Sequence, residues 1–296
     1  MRDEVVLATK YSSAYKVNSS PTRIQSNFGG NGSKSLHLSV EASLHKLRTT
    51  YVDLLYVHYW DLATTAEELM QSLNALVQAR KALYLGVSEA PAWWFVKCND
   101  YARHHGLRAF SVYQGRWSAA VRDLEREVIG MCRDQGMAIA PWGCLGGGYF
   151  KPRSETGATT EGRMMKVKTG REGGVAEVLE RVSKRVGQPM TSVAMAYVMH
   201  KAPYVFPIVG GRKVEHLKGN IEALELELTA EDVKEIETGY DFDPGFPYDF
   251  LGGGKVPRGP ADVVFTQRFG NFDYVPVQGG IKPHKGPLST HDPKWV

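Results

Sequence analysis

The sequence predicts an α/β protein of the (β/α)₈ barrel type, in which about six of the eight βα units are present. Short apolar strands alternate with amphipathic helices along most of the chain, which indicates parallel strands joined by helical crossovers. The strands are apolar on both faces, as buried parallel strands are. A polar residue recurs where strands end, and no G-x-G-x-x-G turn follows the first strand, so the pattern favours a barrel over a doubly wound dinucleotide fold.

Six apolar runs qualify as strands, and each is followed by a helical pattern. The predicted strands are 4–10, 51–58, 82–89, 109–118, 137–143 and 204–211. The predicted helices are 35–49, 65–81, about 91–105, 122–136, about 175–200, 214–224 and 229–239. Thr65 with Glu68 has the spacing of a capping box, and Thr229 provides a similar start for the last helix. A glycine- and lysine-rich segment, about 146–174, delays the fifth helix.

The number of units is smaller than a closed barrel requires. A barrel unit takes about 30 residues, so two further units would add about 60 residues before Asp3. We therefore expect a partial barrel over residues 1–239, followed by an extended segment at 240–296 that is rich in glycine, proline and aromatic residues. Two open sheet edges would need a cover, which this last segment or a second copy of the chain would supply.

Composition excludes several classes of protein. The 296 residues are 43% hydrophobic and 23% charged, which is ordinary for a globular protein, and a net charge of +4 is too weak to indicate nucleic-acid binding. No apolar run has the length of a membrane span, and no secretory signal is visible, so a cytoplasmic location is expected. Three cysteines without metal-ligand spacing predict reduced thiols and no metal site.

Six motifs occur in consecutive order around the strand ends. They are Lys10 itself, YVHYWD around His58, LGVSE, VYQGRWS, APWGCLGGG and FPIVGGRKVEHLKGNIEAL. In this order they resemble the aldo-keto reductase superfamily, and most closely its fungal branch of aryl-alcohol dehydrogenases and norsolorinic acid reductases. The resemblance covers residues 3–250. It implies hydride transfer between NADP(H) and the carbonyl group of an aromatic or polyketide-type substrate.

The resemblance assigns catalytic positions to Lys10 and His58. The family uses Asp, Tyr, Lys and His, in which Tyr donates a proton to the developing alkoxide, Lys lowers the pKa of Tyr, and His orients the carbonyl. The Asp and Tyr belong to an earlier βα unit of the family, and no residues of this sequence match them. Three nearby tyrosines are not at the family position: Tyr11, Tyr56 and Tyr59. Alternation along the strand points Tyr11 to the opposite face from Lys10. Taken without the resemblance, Lys10 is a solvated residue at a strand end, and His58 is a buried structural histidine.

The resemblance also implies a nicotinamide cofactor site. Ser88 and Gln114 match the residues that bind the carboxamide, whereas Glu89 replaces the usual Asn. Trp142 matches the ring that stacks on nicotinamide, and the loop over the pyrophosphate matches Gly143, Leu145 and Gly147. The residues that match the adenosine end with its 2′-phosphate are Gly210, Arg212, Lys213, His216 and Asn220. Glycines allow close approach of backbone N–H groups to phosphate, and a helix start with Arg and Lys suits an anion.

Three aromatic residues near the expected mouth are candidates for an apolar wall against an aromatic substrate: Tyr59, Trp60 and Trp117. Core packing is the alternative for each. Three functions remain open: a carbonyl reductase, a cofactor-binding protein with little redox turnover, and a lyase or isomerase that uses the same pocket without net redox change. An incomplete gene model or a splice form is a fourth explanation for the absent Asp and Tyr.

Overall fold

The structure is a computed structural model that describes residues 2–17, 24–152 and 169–283. Contacts between residues divide the chain into two compact units. The first unit comprises Met1–Gly115 with Gly130–Ile139, and the second comprises Arg116–Ile129 with Ala140–Val296. The sequence placed its single division at residue 240, and that boundary stays a prediction.

The first unit contains a five-stranded sheet in which every neighbouring pair is parallel. Its strands are β1 (Ala8–Tyr11), β2 (Val52–Val57), β3 (Ala82–Ser88), β4 (Phe110–Gln114) and β5 (Ala138–Ile139). The spatial order is β1-β2-β3-β4-β5, the same as the order along the chain. A doubly wound sheet reverses its order at a switch point, so the sequential order agrees with the predicted barrel type.

Three amphipathic helices connect these strands: α1 (Ser33–Leu47), α2 (Ala66–Gln78) and α3 (Ala92–His104). The apolar spacing at Leu36, Val40 and Leu44 buries one face of α1, as the sequence predicts. At the start of α2, the Thr65 side chain accepts a hydrogen bond from the Glu68 backbone N–H at 3.2 Å. A fourth helix, α4 (Val128–Asp134), contains the boundary between the units.

The second unit is mainly helical in its described part. Its helices are α5 (Glu172–Val186), α6 (Met190–Lys201), α7 (Val214–Glu222), α8 (Ala230–Glu237) and the single turn α9 (Tyr248–Leu251). The prediction of one helix over 175–200 is wrong. Gly187, in the left-handed region at φ 67°, caps α5, and Pro189 precedes α6, so the chain turns between two separate helices.

The predicted sixth strand, 204–211, is also wrong. Single bridge residues occur there at Val205 and Ile208, and Ile208 bridges to Trp142 with its backbone N–H donating to the Pro141 carbonyl at 2.7 Å. Pro207 has no N–H to donate, and Tyr204 has a positive φ of 54°, so a continuous ladder cannot develop.

Other predictions about composition and the last segment can be compared with the described residues. All three cysteines lie within them, and each is a free, buried thiol. The segment after residue 240 has irregular backbone and short turns, and its Lys282 forms an ion pair with Glu227. Within the described ranges no group of His, Cys, Asp and Glu side chains could hold a metal ion, and no helix is long and apolar enough to cross a membrane.

Candidate active site

The strand register aligns the candidate residues of the first unit at the carboxyl end of the sheet. Lys10 on β1 is level with Tyr56 on β2, which is level with Gly86 on β3. Ser88 and Gln114 are paired one alternation further along β3 and β4. His58 follows β2 directly, two residues after Tyr56, so alternation directs both to the same face. These are the strand ends from which a barrel builds its active site.

Lys10 is half-buried, and its side chain reaches Gln114. The Lys10 Nζ donates a hydrogen bond to the Gln114 Oε1 atom. Burial lowers the pKa of Lys10 below its ordinary value, and the negative charge of Glu89 offsets part of that shift. Glu89 follows β3, and its backbone N–H donates to the Gln114 carbonyl at 3.3 Å. Lys10, Gln114 and Glu89 are therefore one electrostatic group.

His58 is held by the two serines that follow β1. Its backbone N–H contacts the Ser12 Oγ at 3.3 Å, and its Nδ1 lies 3.0 Å from the Ser13 Oγ. Burial lowers the pKa of His58, and the positive charge of Lys10 lowers it further, while Glu89 acts in the opposite direction. His58 is thus favoured in its neutral form at pH 7, in which one ring nitrogen can donate a hydrogen bond.

The loop after His58 carries Tyr59 and Trp60 and is fixed by Asp61. Asp61 carboxylate oxygens accept from the backbone N–H groups of Asn31 at 2.7 Å and Thr64 at 2.8 Å. Tyr59 is 38% exposed and remains available as a wall residue. Trp60 stacks on Trp94 with ring centroids 4.8 Å apart and donates its Nε1 hydrogen to the Thr64 carbonyl at 3.1 Å, so much of its ring is engaged in packing.

Lys10, His58, Gln114, Glu89 and the side chains in contact with them form what we call the strand-end group. Tyr11 faces away from it, as alternation predicts. Its side chain is 3% exposed, and its hydroxyl lies 3.3 Å from the Asn31 carbonyl. Tyr56 is 4% exposed. Tyr11 and Tyr56, the two tyrosines next to Lys10, are therefore both buried. Neither presents an accessible phenol to a substrate.

In the second unit, Trp142 and the glycine-rich loop follow one another. Trp142 forms isolated parallel bridges with Arg116 and Ile208, and the Arg116 guanidinium lies 5.8 Å from the Trp142 ring centroid. Gly143 and Gly147 have φ values of 74° and 58° in the left-handed region, which glycine adopts more readily than other residues. Leu145 directly precedes the tight turn Gly146–Gly148. Such left-handed glycines expose backbone N–H groups in a way that suits a phosphate.

The predicted adenosine-end residues lie around the start of α7. Gly210, Arg212 and Lys213 are exposed and precede the helix, and Lys213 is its N-cap residue. His216 packs against Gly211, where a Cβ would lie 2.6 Å from the His216 Cβ, and its Nδ1 accepts from the Arg212 backbone N–H at 3.4 Å. Asn220 lies one turn further along α7. Exposed cations at a helix start suit an anionic group.

Trp117 is placed in the core of the second unit. It is fully buried, and its Nε1 donates to the Glu125 Oε1 at 3.1 Å. The core-packing alternative for Trp117 therefore has the structural support, and its ring has no exposed surface for a substrate.

Two residues of the strand-end group were not predicted from the sequence. Ser13 contacts the His58 ring, and Tyr56 lies under the Lys10 ammonium, which is 5.5 Å from the Tyr56 ring centroid. The signal for Tyr56 was available, because a residue two positions before His58 on a strand faces the same side. Ser13 follows Ser12, whose φ of 109° interrupts the extended backbone of β1, so alternation gives no guidance there.

The chain belongs to the aldo/keto reductase family, since residues 1–241 match that family. Family membership, with the parallel sheet, confirms the predicted α/β barrel type, whereas the number of βα units stays a prediction. By family, the protein is an oxidoreductase. The chain is 57% identical over 291 residues to an aryl-alcohol dehydrogenase of Pestalotiopsis microspora, which covers 98% of this chain and 75% of that protein. It is 50% identical over 299 residues to norsolorinic acid reductase B of Dothistroma septosporum, covering 95% of this chain and 74% of that protein. It is 43% identical over 300 residues to an aryl-alcohol dehydrogenase [NADP(+)] of Phanerodontia chrysosporium, covering 96% and 76% of the two chains.

Proposed function

We propose that the protein is an NADP(H)-dependent oxidoreductase that interconverts carbonyl and alcohol groups of aromatic or polyketide-type substrates, in the cytoplasm. The observation that carries the proposal is the grouping of Lys10, His58, Ser88 and Gln114 at the carboxyl end of one parallel sheet. The relatives named for aryl-alcohol and norsolorinic acid chemistry support the substrate class, and the relative named for NADP(+) supports the cofactor.

Each unit, taken by itself, has residues that fit one part of a nicotinamide dinucleotide. Ser88 and Gln114 supply a hydroxyl and a carboxamide, which match both the donor and the acceptor of a nicotinamide amide. In the second unit, Arg212 and Lys213 provide exposed cations for a 2′-phosphate, and Gly143 and Gly147 provide left-handed turns for phosphate contact. When bound, the cofactor supplies or accepts the hydride.

His58 and Lys10 have distinct parts in this proposal. Neutral His58, with Ser13 at its Nδ1, presents Nε2 as a donor that orients a carbonyl oxygen. Lys10 places a cation beside the position where negative charge develops on that oxygen. Tyr11 and Tyr56 are buried, so neither is assigned as the donor of the proton that completes the alcohol. The proposal assigns that proton to Lys10, to His58 or to a water that they hold.

A second candidate is a cofactor-binding protein with little turnover, which the same two buried tyrosines favour. NADPH fluorescence titration and NADPH oxidation with a benzaldehyde-type substrate, measured on one preparation, distinguish the two. We expect binding with turnover, and Lys10→Met should lower the turnover rate by at least about 100-fold, the lower range for acid–base catalysis. Lys34→Met, at an exposed position on α1, is the control.

Each outcome of this pair of measurements has a definite meaning. Binding without oxidation above background supports the second candidate, and absence of binding contradicts both. Conversion of a substrate without stoichiometric NADPH consumption would instead favour lyase or isomerase chemistry in the same site.

A further inference from the structure

The Lys10 side chain lies over the ring of Tyr56. The two residues are level on the neighbouring strands β1 and β2, and the Lys10 Nζ is 5.5 Å from the Tyr56 ring centroid. An ammonium group at this distance is attracted to the negative face of an aromatic ring. Tyr56 is 4% exposed, so its ring is a fixed support for Lys10 and not a surface that a substrate reaches.

Gly86 makes room for this ring. It is level with Tyr56 on the next strand, β3, and a Cβ at position 86 would lie 2.5 Å from the Tyr56 Cδ1 and Cε1 atoms. Real side chains do not approach so closely, and the atoms that would have to move belong to a buried ring. Any larger residue at 86 would therefore displace Tyr56 from beneath Lys10.

The Tyr56 hydroxyl extends the contact to Gln114 on β4. The Gln114 Oε1 accepts from Lys10, so the amide NH₂ group is left to donate to the phenol. Burial raises the pKa of Tyr56, and its side-chain hydrogen bond with Gln114 acts in the opposite direction, as a donor to the phenolic oxygen would. Both ends of the Gln114 carboxamide are thereby fixed, one by Lys10 and the other by Tyr56.

We propose that Tyr56 is a positioning residue of this active site, which supports the Lys10 ammonium with its ring and fixes the Gln114 carboxamide with its hydroxyl. The inference rests on the proposed function for the roles of Lys10 and Gln114, but the contacts themselves do not depend on it. Without the hydroxyl, the carboxamide is free to turn, and a reversed amide would present NH₂ to an ammonium group.

The direct test measures the Lys10 amine by competitive acetylation across a pH series, with quantification of the Lys10 peptide by mass spectrometry. Tyr56→Phe keeps the ring and removes the hydroxyl. We expect the pH midpoint of Lys10 titration, called the Lys10 midpoint below, to fall by about half a pH unit, because the charged form of Lys10 loses the Gln114 oxygen as its acceptor. Gly86→Ala is the second variant, since it displaces the ring without altering Lys10 or Gln114, and it should act in the same direction.

Two matched controls accompany these variants. Tyr113 is also 4% exposed, and its hydroxyl donates to the Ala90 carbonyl at 3.3 Å. Tyr113→Phe therefore removes a buried phenolic hydroxyl that does not contact Lys10 or Gln114. Gly130→Ala adds a methyl group where no atom lies within 4 Å. Both should leave the Lys10 midpoint unchanged. Circular dichroism confirms that each variant is folded, and an unchanged midpoint in folded Tyr56→Phe and Gly86→Ala overturns the proposal.

An NADPH titration on the same proteins separates this inference from the proposed function. If the unaltered protein binds NADPH, Tyr56→Phe should weaken binding by about 3- to 10-fold, as expected for one hydrogen bond, whereas Tyr113→Phe should not. A shifted Lys10 midpoint with unchanged binding supports the Lys10 part and overturns the Gln114 part. If the unaltered protein does not bind NADPH, the proposed function fails, and the acetylation series still decides the role of Tyr56.

Discussion

Glu125 in the second unit is the centre of a buried charge cluster, and its neutralisation should be strongly destabilising. Its Oε1 accepts from the Arg122 Nε at 3.0 Å, and its Oε2 lies 2.9 Å from the Lys201 Nζ. Burial would raise the pKa of Glu125, but the hydrogen bonds and charges of Arg122 and Lys201 lower it below its ordinary value. The carboxylate therefore stays ionised and holds two cations, with Glu237 as the other anion.

The expected loss of unfolding free energy in Glu125→Gln follows from how little the side chains of the cluster are exposed. The Arg122, Glu125 and Lys201 side chains are 9%, 9% and 13% exposed. In Glu125→Gln, the two buried cations would share only the Glu237 carboxylate among the residues that the structure describes, and the new amide NH₂ would meet other donors. Removal of one partner from a buried pair costs about 3–5 kcal/mol. With a urea m-value of about 3 kcal/mol per M, the midpoint should fall by about 1 M or more.

Urea unfolding followed by both circular dichroism and tryptophan fluorescence measures this effect. The control is Lys184→Ala, which removes an ion pair with Glu180 whose lysine is 75% exposed, and such an i,i+4 pair contributes about 0.3–0.5 kcal/mol. A midpoint shift in Glu125→Gln no larger than in Lys184→Ala would refute the reasoning. It would also weaken the placement of Trp117 as a core residue, because Trp117 bonds to Glu125.

Three further predictions use the same kind of argument. In an NMR titration, the pKa of His58 should lie below 6.5, because burial and the charge of Lys10 both lower it. In Lys10→Met the pKa of His58 should rise but stay below 6.5, since burial is the larger of the two causes. A value above 6.5 in the unaltered protein would contradict this prediction. Although burial would raise the pKa of Asp61, backbone hydrogen bonds hold it below 3.8, so its stabilisation is present above that pH and is lost as pH falls through the folded-state value. The urea-midpoint gap between the unaltered protein and Asp61→Ala should therefore narrow below about pH 4, and a constant gap from pH 7 to pH 3 would count against it. Burial raises the thiol pKa to about 12 in Cys98, about 12 in Cys132 and about 11 in Cys144. At pH 8 a disulfide reagent should therefore react with these thiols at least about 100-fold more slowly in the native state than in urea. Equal rates in the two states would show that the thiols are exposed and would contradict the prediction.

Local signals in the sequence predicted the order of strands and helices in the first unit, although β1 covers Ala8–Tyr11 and not the predicted 4–10. Its strands are apolar runs bounded by turns, and a helix start such as Thr65 depends on a residue three positions away. The same kind of local signal acts at Thr229 in the second unit. The Thr229 capping box forms as predicted, with Asp232 as its partner. At Thr65 only half of the box forms, because the Glu68 carboxylate bonds instead to Ser33, 35 positions away. A distant residue can therefore compete for a side chain that the local pattern assigns to a cap.

The failures have physical causes that periodicity does not register. Pro207 lies in the segment 204–211, where the predicted strand is absent, and Pro141 lies in 137–143, where β5 covers only Ala138–Ile139. Each proline removes a backbone donor from the ladder. Trp117 resembles a mouth residue when it is considered with its neighbours in the sequence. Its burial depends on Glu125 and, through Glu125, on Lys201 and Glu237, which the sequence gives no means of bringing together.

The strand-end group illustrates a further limit of residue-by-residue prediction, because its members are coupled. The sequence assigned Lys10 to catalysis and Gln114 to cofactor binding as separate roles. In the structure one hydrogen bond joins them, Tyr56 touches both, and the charge of Glu89 acts on Lys10 and His58 together. Residues that share a partner do not have additive effects when they are changed. A loss of activity in Lys10→Met therefore measures the whole group, and a role can be assigned to a single side chain only when the double variant with Gln114 is compared with both single variants.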